Sequence, residues 1–237
     1  MRTDHRTVVI TGATGGLGRF VARRLAEREA RLVLVGTDAD KLAELGKRLP
    51  QPYADWLAVP VDLVQPDSAD KVFQAALARF GRVDILLHFV GGWIAGKPVT
   101  RVQPEEIASM LQQHLWTTFY LVQAFIPHLV ANGWGRLVVV SSPTVADTPA
   151  NRLPYTIGKS AQEALILTLA KELAGSQVTA NLLRVKTIDV EHERVRQPAP
   201  ANQSWTTPEE IFAALLYLCS DEAQAVNGAR IPLYGSD

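Results

Sequence analysis

The 237-residue chain carries 24 Lys and Arg against 24 Asp and Glu, so its formal net charge is zero and no global field draws it to nucleic acid or to an anionic membrane surface. With 47% hydrophobic and 20% charged residues it has the apolar material for a sizeable core, which excludes a disordered chain. The expected partner is a small molecule rather than a nucleic acid or a membrane.

At the N-terminus, Arg2, Asp4, His5 and Arg6 precede a short apolar run without a signal-peptide core. From residue 7 onward, β-branched runs alternate with longer amphipathic stretches, the rhythm of a parallel sheet with crossover helices. Strands are expected at Thr7–Thr11, Arg31–Gly36, Trp56–Val61, Val83–Phe89, Gly135–Ser141, Val178–Arg184 and Arg230–Tyr234. The helical patterns between them cover Leu17–Arg28, Ala39–Leu49, Ser68–Phe80, Pro104–Ala131, Leu153–Ala174 and Pro208–Ser220. Near-continuous apolarity in Leu32–Val35 and Leu137–Val140 fits strands covered on both faces. The reading is an α/β fold, a doubly wound Rossmann-type three-layer sandwich around a parallel sheet of about seven strands, in one domain over residues 1–237. Residues 190–207, with Pro198, Pro200 and Trp205, follow neither period and are expected to form a loop over the substrate side. The single cysteine, Cys219, follows Leu215, Leu216 and Leu218 and reads as helix packing. It excludes an internal disulfide and a Cys-rich metal centre, and suits a reducing, cytoplasmic compartment.

The first strand runs into Thr11-Gly12-Ala13-Thr14-Gly15-Gly16-Leu17-Gly18 and then a helix. Glycines there permit a tight turn, and the helix N-terminus presents N–H groups to a pyrophosphate. Tyr155 and Lys159 stand four residues apart on one helical face. A free phenol is a poor base at neutral pH, and a nearby ammonium favours its ionised form. Ser142 ends the preceding strand, 13 residues before Tyr155.

The glycine turn, Ser142 and the Tyr155–Lys159 pair together resemble the short-chain dehydrogenase/reductase family. The resemblance implies hydride exchange between a nicotinamide and a carbonyl or alcohol. In that chemistry Tyr155 passes the proton, Lys159 lowers its pKa and holds the ribose, and Ser142 orients the substrate. Ser141 is a backup that strand alternation points the other way. The resemblance further implies nucleotide contacts at Gly12, Thr14, Gly16, Leu17, Gly18, Asp62, Leu63, Val90 and Gly91, and at Ile188 through its backbone. It also implies a homodimer or homotetramer.

The chain departs from the family pattern in several places. His88-Phe89-Val90-Gly91 replaces an Asn-Asn-Ala-Gly turn; His114 occupies the place of a helix-bending Asn; Val185-Lys186 replaces Pro-Gly after Asn181. His114 either keeps an altered proton relay or is a polar helix residue with no catalytic part. Arg184 and Lys186 read as solvated loop charges, or as attractors of an acidic substrate. NAD(H) and NADP(H) both stay open: Gly36 and Thr37 occupy the discriminating positions, and Asp38 with no base nearby leans towards NAD(H). Trp93 and Trp205, with Trp116, are similar to the tryptophans of dihydropteridine reductases in the same superfamily and are read as the border of a substrate pocket. The expected substrate is a small ring-containing carbonyl or alcohol. A nucleotide-binding regulator without turnover is the rival reading.

Overall fold

The computed structural model describes residues 5–50 and 54–234; Arg2 and Asp4 lie outside them. Seven strands form one all-parallel sheet: β1 (Thr7–Thr11), β2 (Arg31–Gly36), β3 (Asp55–Pro60), β4 (Ile85–His88), β5 (Gly135–Ser141), β6 (Val178–Arg184) and β7 (Arg230–Pro232). Their spatial order is β3-β2-β1-β4-β5-β6-β7. The order reverses between β1 and β4, and ligands of open α/β sheets bind outside the carboxyl ends of the strands at such a point.

Period-two alternation sends successive β1 side chains to opposite faces. Val8 and Ile10 join one core with α1 (Gly16–Ala26), α2 (Ala39–Lys47) and, later in the chain, the helix Pro208–Leu218. Val9 joins the other core, with α3 (Ser68–Phe80), the helix Thr117–Ala131 and the helix Leu153–Glu172. Two helical layers around one sheet make the expected three-layer sandwich. Each fully buried Val, Leu or Ile in these cores contributes roughly 1.5–3 kcal/mol. Cys219 lies in the first core, where burial pushes its thiol up to about 12. Among the described residues no helix is long and apolar enough to cross a membrane.

The expected helix Pro104–Ala131 is not continuous. It is split into α4 (Pro104–Leu111) and α5 (Thr117–Ala131) by a π turn over Gln112–Trp116. The turn has local causes that hydrophobic periodicity does not register. The Thr117 and Thr118 hydroxyls donate back to the Gln113 and His114 carbonyls at 2.7 and 2.6 Å, and Gln162 reaches in to the His114 carbonyl at 3.2 Å. The remaining helices are α6 (Thr144–Asp147), α7 (Leu153–Glu172), α8 (Glu193–Arg196) and α9 (Pro208–Leu218). α8 gives residues 190–207 more order than a plain loop: the buried Asp189 carboxylate accepts from the Glu193 and Arg194 N–H groups at 2.8 and 2.9 Å. Strand ends differ from expectation by a residue or two, the largest changes being the later start of β4 and the earlier end of β7.

Candidate active site

The glycine turn is built by crowding. Gly12 has φ +69°, a left-handed conformation that glycine adopts without cost. A Cβ on Gly18 would come within 2.3 Å of the Gly12 carbonyl oxygen, so α1 can pack this close to the turn only with glycine there. No side chain caps α1 and no acid lies in its first turn, so its leading N–H groups remain available to an anion. Leu17 is buried in the core, which leaves only its backbone to serve a nucleotide.

A cleft of about 280 Å³ opens beside this turn, lined by Gly12, Thr14, Thr37, Asp62, Leu63, Val90 and Gly91 among others. Seven of the sequence-predicted nucleotide contacts thus converge at the reversal between β1 and β4, and this glycine, threonine and apolar cradle beside the uncapped start of α1 fits a dinucleotide. Asp38 is not in the lining. Its carboxylate caps α2, accepting from the Lys41 N–H at 3.0 Å, and pairs with the Lys41 ammonium at 3.0 Å. The sequence expectation that no base stands near Asp38 is therefore corrected: Lys41 lies one helical turn away and sequesters it. Ile188 forms a bridge with Thr206 whose hydrogen bonds use Asp189 N–H, Thr206 N–H and the Thr187 and Thr206 carbonyls. The N–H and C=O of Ile188 take no part in that bridge.

Beyond β5 the side chains gather. Ser142 is buried, and hydrogen bonding to it pulls the Tyr155 pKa down. Desolvation outweighs this, and Tyr155 stands above the usual phenol value; Arg152 opposes the rise. Lys159 is not the charge that lowers Tyr155 in this structure. The buried Lys159 ammonium donates instead to the Val140 carbonyl at 2.8 Å and to Gln162 Oε1 at 2.9 Å. Burial takes it down to about 7, against the pull of Glu163. The charge that opposes the rise at Tyr155 is that of Arg152.

His114 lies in the π turn, buried, with Nε2 3.1 Å from the Gly92 carbonyl and a buried Nδ1 that has no partner among the described residues. Its ring stands edge-on to Tyr155 with centroids 5.5 Å apart. Burial, followed by the Lys159 charge, brings its pKa down to about 3 and keeps the ring neutral. His88 is also buried and held near 3 by the same two causes, with Nδ1 2.7 Å from the Thr11 hydroxyl. Sequence reasoning missed Gln162, which ties Lys159 to the Thr118 hydroxyl and the His114 carbonyl. Its place three residues after Lys159, on the same helical face, was the available signal.

Glu163 was missed as well. It is buried and accepts from Ser141 at 2.6 Å, from Arg184 at 2.9 and 2.7 Å and from Arg230 at 2.9 Å. Ser141 thus points away from Ser142, as alternation predicts. Arg184, read as a solvated charge or an attractor of acids, is instead the bidentate partner of a buried carboxylate.

A second cavity, of about 670 Å³, opens next to Ser142 and is lined by Trp93, Arg152, Lys186, Trp205 and Tyr234 among others. Its size is within the range of small-molecule sites. The Trp93 ring packs 4.5 Å from that of Tyr155, centroid to centroid. Trp116 is outside this lining and stacks on Tyr120, so it does not border the cavity. Among the described residues there is no cluster of metal-ligating side chains.

A nucleotide cleft at the strand-order reversal, set beside a Ser, Tyr and Lys at the end of β5 and the start of α7, defines a class of nicotinamide-dependent oxidoreductase. The chain belongs to the short chain dehydrogenase family, which its residues 6–200 match. It is similar to a 1,6-dihydroxycyclohexa-2,4-diene-1-carboxylate dehydrogenase of Pseudomonas putida, 32% identical over 100% of this chain and 94% of the relative. A 2,3-dihydroxy-2,3-dihydro-p-cumate dehydrogenase of Pseudomonas putida is 28% identical over 98% and 94%. Among solved structures, a short-chain type dehydrogenase/reductase from Mycobacterium ulcerans superimposes with a TM-score of 0.88 at 26% identity, covering 97% of this chain and 88% of that one. The protein is thus an oxidoreductase using a nicotinamide cofactor on a small molecule.

Proposed function

We propose that the protein is an NAD(H)-dependent dehydrogenase of a dihydroxylated cyclohexadiene ring. The observation that carries this is the 670 Å³ cavity at Ser142, lined by the aromatic residues Trp93, Trp205 and Tyr234, a chemistry suited to a flat ring. Full-length similarity to two ring-diol dehydrogenases supports it. The dihydropteridine reading rested partly on Trp116, which does not line the cavity.

In this reading Tyr155 takes the proton of one ring hydroxyl and Ser142 holds the same oxygen as it becomes a carbonyl. The bound nicotinamide supplies the hydride acceptor at its C4. Lys159, held by Val140 and Gln162, binds the nucleotide ribose and offers its ammonium to the Tyr155 proton path. His114 acts by position: its neutral ring supports the Tyr155 ring edge-on. Aromatisation of the resulting ring ketone draws the oxidation forward.

NAD(H) is preferred because, among the described residues, Asp62 is the single ionisable group in the nucleotide cleft lining and the Lys41 ammonium is paired with Asp38; a 2′-phosphate would meet no cation in that lining. The reading includes one catalytic domain, a homodimer or homotetramer and a cytoplasmic setting. The test is a panel of ring cis-diols with NAD⁺ and NADP⁺, followed by formation of reduced nicotinamide. Turnover with NAD⁺ at least tenfold above NADP⁺ is expected. Nucleotide binding with no oxidation of any ring diol would overturn the reading and leave a regulatory nucleotide-binding protein.

A further inference from the structure

One cation in the wall of the substrate cavity, Arg152, acts on Tyr155 only through its charge and leaves its guanidinium donors to another ligand. Arg152 ends the loop before α7, three residues ahead of Tyr155, and its guanidinium carbon lies 5.2 Å from the centre of the Trp93 ring. Its guanidinium has neither a hydrogen-bond acceptor nor an ion-pair partner among the described residues, where Arg184 and Arg230 both have Glu163. A half-buried guanidinium resting on an indole, at the edge of a cavity and without an acid of its own, is an acceptor for a planar anion.

We infer that Arg152 receives a carboxylate carried on the substrate ring, so that the substrate is a ring diol acid. This rests on the ring-diol reading above and narrows it. Trp93 neighbours both groups: its ring centre is 4.5 Å from that of Tyr155 and 5.2 Å from the Arg152 guanidinium carbon. A six-membered ring laid on this indole presents a hydroxyl to Tyr155 and Ser142 while an acid group on the same ring meets Arg152. Among the described residues the lining's one acid, Asp147, forms no ion pair with Arg152, and its charge acts on Arg184, whose pKa it helps to raise. A carboxylate also anchors the ring against rotation, a constraint that a neutral diol lacks on these smooth aromatic walls.

The test separates this subsite from the turnover reading by measuring binding. Benzoate and benzamide have the same ring and differ in charge. Each is titrated into the protein with each nicotinamide nucleotide present, using tryptophan fluorescence and calorimetry. Benzoate is expected to bind at least tenfold more tightly than benzamide. Arg152→Gln should remove that preference, and Arg152→Lys should restore part of it, with folding of both variants checked by circular dichroism. Equal binding of the two probes, no binding of benzoate, or a benzoate preference that survives Arg152→Gln would overturn the inference. So would a parallel loss of both probes in Arg152→Gln, because that result assigns Arg152 to the shape of the loop. These outcomes are read whether or not a ring diol is oxidised. Failure of the diol panel alongside a benzoate preference would remove the proposed reaction and leave the acid subsite standing.

Discussion

The nucleotide cleft and the reaction half of the molecule are built from different materials. Around β1 and β4 the lining is glycine, threonine and apolar side chains, and Asp62 is its single ionisable residue among the described residues. In the reaction half, the work falls to polar side chains packed out of water: His114 from the π turn and Lys159, Gln162 and Glu163 from α7 are all buried. A backbone site has little to titrate and tolerates no added atoms. A side-chain site tolerates changes of volume better, but each buried polar group depends on its neighbours for a partner. One half should therefore fail sterically and the other electrostatically.

The largest test of that contrast is Tyr155→Phe. It keeps the ring packed against Trp93 and His114 and deletes only the hydroxyl. With the proposed ring diol, kcat should fall by about 10³-fold or more, on the order of 4 kcal/mol, while nucleotide affinity stays within tenfold. Loss of nucleotide binding on a similar scale would break the separation of the halves.

Acid lability comes next. His88 and His114 are held down to about 3, against an ordinary value of 6.5. Between these values the unfolded chain binds protons that the folded chain refuses, so the histidines cost no stability above pH 6.5 and destabilise progressively as pH falls towards 3. At pH 5 each histidine should cost about 2 kcal/mol relative to pH 7. Thermal unfolding at both pH values should show a drop in Tm on the order of 8–16 °C, and His114→Asn should recover part of it. An equal drop in the variant would remove His114 from the account.

The smallest effect is steric. Gly18→Ala places a Cβ against the Gly12 carbonyl and Ala13 backbone, and urea denaturation should report a loss of about 1–3 kcal/mol. Wild-type stability in this variant would mean that the turn is looser than its glycines imply.

The same contrast explains what was legible in the sequence. Seven strands and their parallel order follow from short β-branched runs spaced by helices, because burial on both faces imposes that pattern directly. The glycine turn was legible because sterics prescribe a residue type at fixed spacing. Ser142, Tyr155 and Lys159 were legible as a set, since three spaced residues seldom occur together by chance. The support beneath them was not. Gln162 and Glu163 look like ordinary helix polar residues, and only the fold brings Thr118 and Arg184 to them. The π turn was hidden too, because hydroxyls bonding back along a helix leave its hydrophobic period unchanged. Arg152 has no periodic signature; its meaning comes from the indole beneath it.

Cys219, buried where α9 meets the first core and held as a thiol, gives the protein an internal clock. A maleimide or disulfide reagent cannot reach the sulfur while the core is closed, so the rate at which it is modified counts how often that corner opens. One native sulfhydryl thereby reports local breathing of the nucleotide-side core without any engineered probe, and its labelling can be followed in the same tube as catalysis.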